Sequence, residues 1–294
     1  MSAWAACRAP APAPAPSDAE RIAELAERSL VLEIGTYPKP GLVSHVDTGS
    51  HTDMDAATFM RSAAVLRPYF AELADAGAHD ADMAVLRKIG LRAEYAMLAA
   101  TGGVNTHRGA IFGLGLLCAA AGRRSAPGTT AAARTTTLGA FVARRWGADI
   151  LGGPRLPDSH GERASRRYGV GGARREAADG FPTVYRVGLP ALRRATCDVP
   201  DDAQAARVDA CFALIAALDD TNLLHRGGQA GLDFARATAR AFVACGGIRA
   251  RDWRLRAAAA HRAFVARRLS PGGAADLLAM SVFVDALEAD EDAR

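Results

Sequence analysis

The segment Met97-Leu-Ala-Ala-Thr-Gly-Gly-Val-Asn-Thr-His-Arg-Gly-Ala-Ile-Phe112 sets two glycines and a polar tetrad between two apolar helical patterns. Gly102 and Gly103 allow a tight turn, or a close approach of backbone to a ligand. Asn105 or Thr106 then supplies an N-cap, and the free amides of the following helix would face an anion. His107 and Arg108 add donors at the same end, and Arg108 adds a fixed charge. The chemistry expected here is the holding of a phosphate. An ordinary helix corner closed by glycine fits the same residues.

Other segments carry groups of the same kind. The turn Pro38-Lys39-Pro40-Gly41 leads into a stretch from His45 to Asp55 that holds His51, Asp47 and Asp53. Oxygen-rich sets of this kind suit Mg²⁺ better than zinc. One of Asp53 and Asp55 is expected to cap the next helix. Helical spacing puts Glu33 on the apolar stripe Ile22, Ala26, Ser29, and Glu94 in register with Met83, Gly90 and Met97. It also runs a stripe from Val208 through Cys211 and Ile215 to Asp219 and Asn222, with Asp220 beside it and His225 one turn on. Buried acids are costly unless paired or hydrogen-bonded. One such acid would read as a satisfied structural group; several, each near a glycine-rich helix end, point to a site. In Ser270-Pro-Gly-Gly-Ala-Ala-Asp276, Ser270 is expected to cap and Pro271 to open a helix whose amides could hold phosphate. His160, Arg163, Arg166 and Arg167 fall in a glycine-rich stretch, Leu151 to Pro182. It reads as a long loop, either an anion clamp or a solvated basic surface.

The elements that position these residues are helices. The 3.6-residue period dominates from Asp18 to Leu287, alternating segments are scarce, and Ala, Leu and Arg prevail. The fold expected is an all-α, single-domain helical bundle over 18–294, with functional loops at helix junctions. Residues 1–17 form an Ala/Pro leader expected to be disordered. A chain of 294 residues, 50% hydrophobic, can bury a large core. The net charge of +4 is carried almost wholly by arginine, with lysine only at Lys39 and Lys88. No arginine block interleaves with stacking aromatics, so no nucleic-acid partner is expected. The five cysteines are scattered and read as reduced thiols. No apolar run reaches the roughly eighteen residues of a membrane span, and no signal peptide opens the chain, so a cytoplasmic protein is expected.

Six of these segments, in order, resemble the triphosphoribosyl-dephospho-CoA synthase family. The resemblance runs from about Thr36 to Val284. It is carried by Pro38-Lys-Pro-Gly41, His51-Thr-Asp-Met-Asp55, Ala99 to Phe112, Ser159-His-Gly-Glu-Arg163 with Tyr168-Gly-Val170 and Glu176 to Pro182, Asp219-Asp-Thr-Asn-Leu-Leu-His-Arg-Gly-Gly228, and Ser270-Pro-Gly-Gly273 with Asp276. Arg108 stands where family members often show lysine, and the positive charge is kept. The family builds the prosthetic-group precursor for the acyl carrier proteins of malonate decarboxylase and citrate lyase.

The resemblance implies an all-helical enzyme that moves the 5-triphosphoribosyl group of ATP to the 2′-hydroxyl of 3′-dephospho-CoA and releases adenine. Its product would pass to a transferase that loads an acyl carrier protein. A stand-alone synthase points to malonate decarboxylase, and a homo-oligomer is left open. Transfer at C1′ runs through an oxocarbenium-like state that carboxylates stabilise, and the hydroxyl proton needs a base. On this reading Asp219 and Asp220 hold metal or stabilise the cation, and Glu94 is the base. Asp219, Asp220 and Asp276 are the candidate ligands of Mg²⁺. Lys39, Arg108, Arg163 and Arg226, with the amides of Gly102 and Gly103, hold phosphates. Gly41, His51, Asp53, Thr101, Asn105, Thr106, His107, His160, Asn222, His225 and Ser270 complete the substrate-binding set. Two other readings use the same residues: a Mg²⁺-dependent hydrolase of a nucleotide N-glycosidic bond, and a non-catalytic helical module that binds nucleotide or a carrier protein.

Overall fold

The computed structural model describes residues 17–130, 135–154 and 159–292. Among them stand twelve α-helices and no strand. In chain order these are α1 (Asp18–Ile34), α2 (Ala56–Ala78), α3 (Met83–Ala100), α4 (Arg108–Ser125), α5 (Leu138–Gly152), α6 (His160–Tyr168), α7 (Gly172–Ala178), α8 (Leu189–Asp198), α9 (Ala203–Ala217), α10 (Thr221–Ala244), α11 (Trp253–Ala266) and α12 (Gly272–Asp292). The all-α expectation holds. The Ala/Pro leader lies outside the described residues, apart from Ser17. No helix among the described residues is long and apolar enough to cross a membrane.

Local chemistry sets most helix starts. Ser17 and Glu20 form a reciprocal capping box at α1. Asp55 caps α2 through the Thr58 amide at 2.8 Å, so of the two candidates it is Asp55 that caps. Asp82 caps α3 and Ser159 caps α6. At the centre lies α4, buried on almost every side and packed on α1, α2, α3, α5 and α12. Its backbone nearly touches that of α2: a Cβ on Gly77 would stand 1.9 Å from the Ala119 oxygen, and one on Gly122 would stand 1.8 Å from the Ala74 oxygen. Only glycine permits that approach.

Two elements differ from the sequence reading. The apolar run from Asp201 to Leu224 is not one helix, because α9 ends at Ala217 and Leu218 is extended (φ −76°, ψ 139°). Asp220 then opens α10 by accepting two of its first amides, a local bond that competes with continuing the helix. Asp219 consequently leaves the core stripe and faces solvent. The stretch Leu151 to Pro182 is not one long loop either. It holds α6 and α7, and Gly169 closes α6 in the left-handed conformation (φ 69°).

Candidate active site

The first turns of α4, α10 and α12 converge on the end of α1 and on the loop before α2. Between them opens a cleft of about 160 Å³, lined by Glu33, His51, Asn105 to Ala110, Asn222, Arg226, Ser270 and Asp276 among others.

Its floor is built from ionisable groups tied to helix ends. Lys39 is 1% exposed, and its ammonium pairs with the Glu33 carboxylate, itself 6% exposed. Burial pushes the Glu33 carboxyl upward, and Lys39 pulls it back. Asp220 is 1% exposed. Its Oδ1 accepts the amides of Asn222 at 2.8 Å and Leu223 at 3.3 Å, and its Oδ2 accepts that of Ala274 at 3.0 Å. One carboxylate thus caps α10 and α12 together. Burial raises its pKa against the pull of those amides. Asp276 repeats the device from α12 to α4, accepting the Ala110 amide. Burial, and then the like charges of Asp220 and Glu33, hold the Asp276 carboxyl well above the usual range.

Gly109 makes room for that contact, since a Cβ there would lie 2.0 Å from Asp276 Oδ2. Gly109→Ala is expected to destabilise the protein by about 1–3 kcal/mol through overpacking. The measurement is a lower urea midpoint at unchanged slope.

His107 stands beside this floor, 3% exposed. Its Nδ1 lies 2.7 Å from Ser62 Oγ, which accepts the Thr106 hydroxyl at 2.7 Å. Phe59 packs edge-on at 4.9 Å between ring centroids. Burial, and then Lys39, push the imidazole down to about 3, so the ring is neutral. With Ser62 donating to Nδ1, Nε2 carries the proton, and it has no hydrogen-bond partner among the described residues.

The rim is basic. Arg108 donates from Nε to Glu94 at 2.9 Å, and its amide meets Asn105 Oδ1 at 3.2 Å. Arg226 donates to the carbonyls of Ser50 at 3.2 Å and Arg268 at 3.1 Å, and its second nitrogen lies over the His51 ring. Across α10 lies a second cavity of about 430 Å³, lined by Arg163, Arg167, Tyr168, Leu224, His225 and Gly228. The helix kinks there at Gly228 (φ 61°, ψ −161°), and the Arg167 guanidinium sits 5.3 Å from the Tyr168 ring centre.

Asn105, Thr106, His107, Arg108, His51, Asn222, Arg226, Ser270 and Asp276 therefore meet at one cleft, as the sequence reading requires. Others go elsewhere. Gly102 and Gly103 form the turn after α3 (φ 67° and 90°), and the Gly103 amide is spent on the Leu98 oxygen at 2.7 Å, so that amide is not free for a phosphate. The Thr101 hydroxyl braces the same turn against Met97 and Val104. Lys39 is sealed behind Glu33 and offers no ammonium to a phosphate. Gly41 packs at φ 66° against the corner between α11 and α12. Glu94 is not among the groups lining the cleft, and it holds Arg108. Asp53 lies at the mouth, 60% exposed. Asp47, by contrast, pairs with buried His261 at 3.1 Å. Arg163 and His225 line the second cavity, and the side chain of His160 lies outside the described residues. Ser270 does not cap α12, because Asp220 takes those amides.

The expected metal ligands are not assembled. Asp219 faces Arg236 at 2.8 Å, while both oxygens of Asp220 accept amides. No group of three His, Cys, Asp or Glu side chains suited to a metal ion occurs among the described residues. The acids spaced like ligands are mostly helix caps. Ser62 and Phe59, which fix the His107 ring, were missed in the sequence. Their only signal there was a place on the inward stripe of α2.

A family model described as ATP:dephospho-CoA triphosphoribosyl transferase matches residues 19–294. Relatives named as probable 2-(5″-triphosphoribosyl)-3′-dephosphocoenzyme-A synthases are similar along nearly the whole chain. The protein of Pseudomonas paraeruginosa is 44% identical over 277 residues, 92% of each chain. That of Stutzerimonas stutzeri is 44% identical over 298 residues, 98% of this chain and 96% of its own. That of Acinetobacter calcoaceticus is 38% identical over 267 residues, 90% of each. No solved structure matches.

Proposed function

Because the chain belongs to the ATP:dephospho-CoA triphosphoribosyl transferase family, and is thus a pentosyltransferase, we propose that its cleft carries ATP's ribose triphosphate to the 2′-hydroxyl of 3′-dephospho-CoA. The bond from C1′ to adenine N9 breaks with its electron pair leaving on adenine, and a bond from C1′ to the acceptor oxygen forms.

The observation that carries this reading is the polarity of the cleft. Glu33 and Asp276 line it with Asp220 behind, three carboxyls whose pKa values burial raises, so a positive charge growing at C1′ would favour their ionised form and be stabilised by it. Arg108 and Arg226 stand at its rim, each held by protein acceptors, and suit the triphosphate oxygens. Asn105 and Asn222 add neutral donors. His107 presents a buried, neutral ring whose unpartnered Nε2–H awaits an acceptor atom of the ligand. In this scheme Glu94 orients Arg108 rather than taking a proton. The acceptor's diphosphate is assigned to the second cavity, through Arg163, Arg167 and His225, with Tyr168 as a flat apolar wall.

The donor set does not fit a protein-held metal. Mg²⁺ enters with ATP on its phosphate oxygens, as part of the substrate, and no step depends on a protein ligand to it. The product is destined for an acyl carrier protein, that of malonate decarboxylase in our reading.

The test is purified protein with MgATP, with and without 3′-dephospho-CoA, followed by chromatography for adenine and mass spectrometry of the product. Adenine should appear in step with the adduct, and only when the acceptor is present. Equal release from ATP alone would replace the transferase reading by the hydrolase one.

A further inference from the structure

Ser270 and His51 meet at the wall of the cleft from loops 219 residues apart, with Ser270 Oγ 2.9 Å from His51 Nε2. Behind the ring, Asp53 Oδ1 lies 3.6 Å from Nδ1. Ser270 is 3% exposed, and the His51 side chain is 14% exposed. The hydroxyl of Ser270 has no capping duty, because Asp220 takes the α12 amides that a serine at this position would serve. The Asp53 carboxylate on the Nδ1 side favours the tautomer protonated there, and Nε2 then accepts both from Ser270 Oγ at 2.9 Å and from the Arg226 guanidinium, a donor only, at 3.4 Å.

We infer that Ser270, His51 and Asp53 form a proton relay that takes the proton of the acceptor hydroxyl as the new glycosidic bond forms. This rests on the transferase reading above. The acceptor O–H gives its proton to Ser270 Oγ while Ser270 passes its own to His51 Nε2. The freed oxygen pair closes on C1′, and the C1′–N9 pair departs with adenine, which takes one proton from solvent. His51 then returns its proton to solvent, so protons balance over the turnover. Asp53 steadies the imidazolium in between. Arg226 of α10 is the other charged group facing the ring, its nitrogen 3.2 Å from Nδ1 and 3.4 Å from Nε2. Burial and then Arg226 lower the His51 pKa below its usual 6.5, against the pull of Asp53, so the ring is a free base at neutral pH.

The experiment is dephospho-CoA-dependent adenine release by full-length His51→Ala and Ser270→Ala proteins across pH. The wild-type kcat should fall on the acid side as His51 protonates, below pH 6.5, and the His51→Ala profile should lose that limb. His51→Ala should lower kcat by about 10²-fold or more, with KM for ATP changed by less than about threefold. Added imidazole should restore part of the rate. The relay is overturned if His51→Ala keeps wild-type kcat and the acid limb, or if its loss lies wholly in KM. Should His51→Ala fail to fold, His51→Gln and Ser270→Ala decide on the same criteria. A wild type that releases no adenine with dephospho-CoA refutes the transferase reading, an outcome distinct from an active wild type matched by an equally active variant.

Discussion

Lys39→Met is expected to destabilise the protein by about 3–5 kcal/mol, since removing one partner of a buried ion pair strands the other. Lys39 and Glu33 are 1% and 6% exposed, and the Lys39 ammonium pairs with the Glu33 carboxylate. Methionine matches the lysine stem in volume, so the loss reflects charge rather than packing. The penalty should depend on pH. Without Lys39 the folded-state pKa of Glu33, already raised by burial, rises further above the unfolded value near 4.5. A carboxyl raised in this way favours the fold fully below the unfolded pKa and ceases to do so as pH climbs through the folded one. The gap between variant and wild type should therefore be wide at pH 8 and narrow towards pH 4.5, read by urea unfolding at both. A gap that does not change with pH would show that Glu33 is not the stranded charge. Glu33→Gln in the Lys39→Met background should recover much of the loss.

Asp220→Ala should be the next most damaging change. It removes the acceptor for the Asn222, Leu223 and Ala274 amides, so two helices lose their N-caps at once. At about 0.5–2 kcal/mol for each cap, the loss comes to about 1–4 kcal/mol. At about 2–4 °C per kcal/mol for a chain of this size or somewhat smaller, the melting temperature should drop by roughly 2–16 °C. Asp220→Asn should fall between, because its one oxygen can serve α10 while its amide group opposes the Ala274 N–H. Activity should follow the same order, since α10 carries Asn222 and Arg226 into the cleft and α12 carries Asp276. Equal melting temperatures for the three proteins would refute the double cap. Full stability of Asp220→Asn with abolished turnover would return Asp220 to a direct chemical role.

Much of the frame is legible in residue order alone. Asp55, one of the two acids expected to cap, precedes an apolar periodic run and does cap the helix that follows. The polar tetrad Asn105 to Arg108 stands at a helix start and lines the cleft. The acids were harder to read. Asp219 and Asn222 share a helical stripe only if one helix runs through Leu218, and the chain breaks there. Gly102 and Gly103 have the composition of an anion loop, yet they close a turn whose second amide is already bonded. Lys39, a phosphate ligand on the family resemblance, instead pairs with Glu33 of the preceding helix.

The Thr101 to Arg108 junction shows where the division falls. Period, caps and glycines are local properties, so residue order alone determined the helical class, most helix starts and the position of the polar junctions. Whether a carboxylate faces a ligand, a lysine or the amides of another helix depends on groups brought within 3 Å from far along the chain. Asp276 on Ala110, Asp220 on Ala274 and Ser270 on His51 are all of that kind. Only the tertiary structure decided those pairings, because burial makes an unpaired polar group costly and long-range packing selects which partner removes that cost.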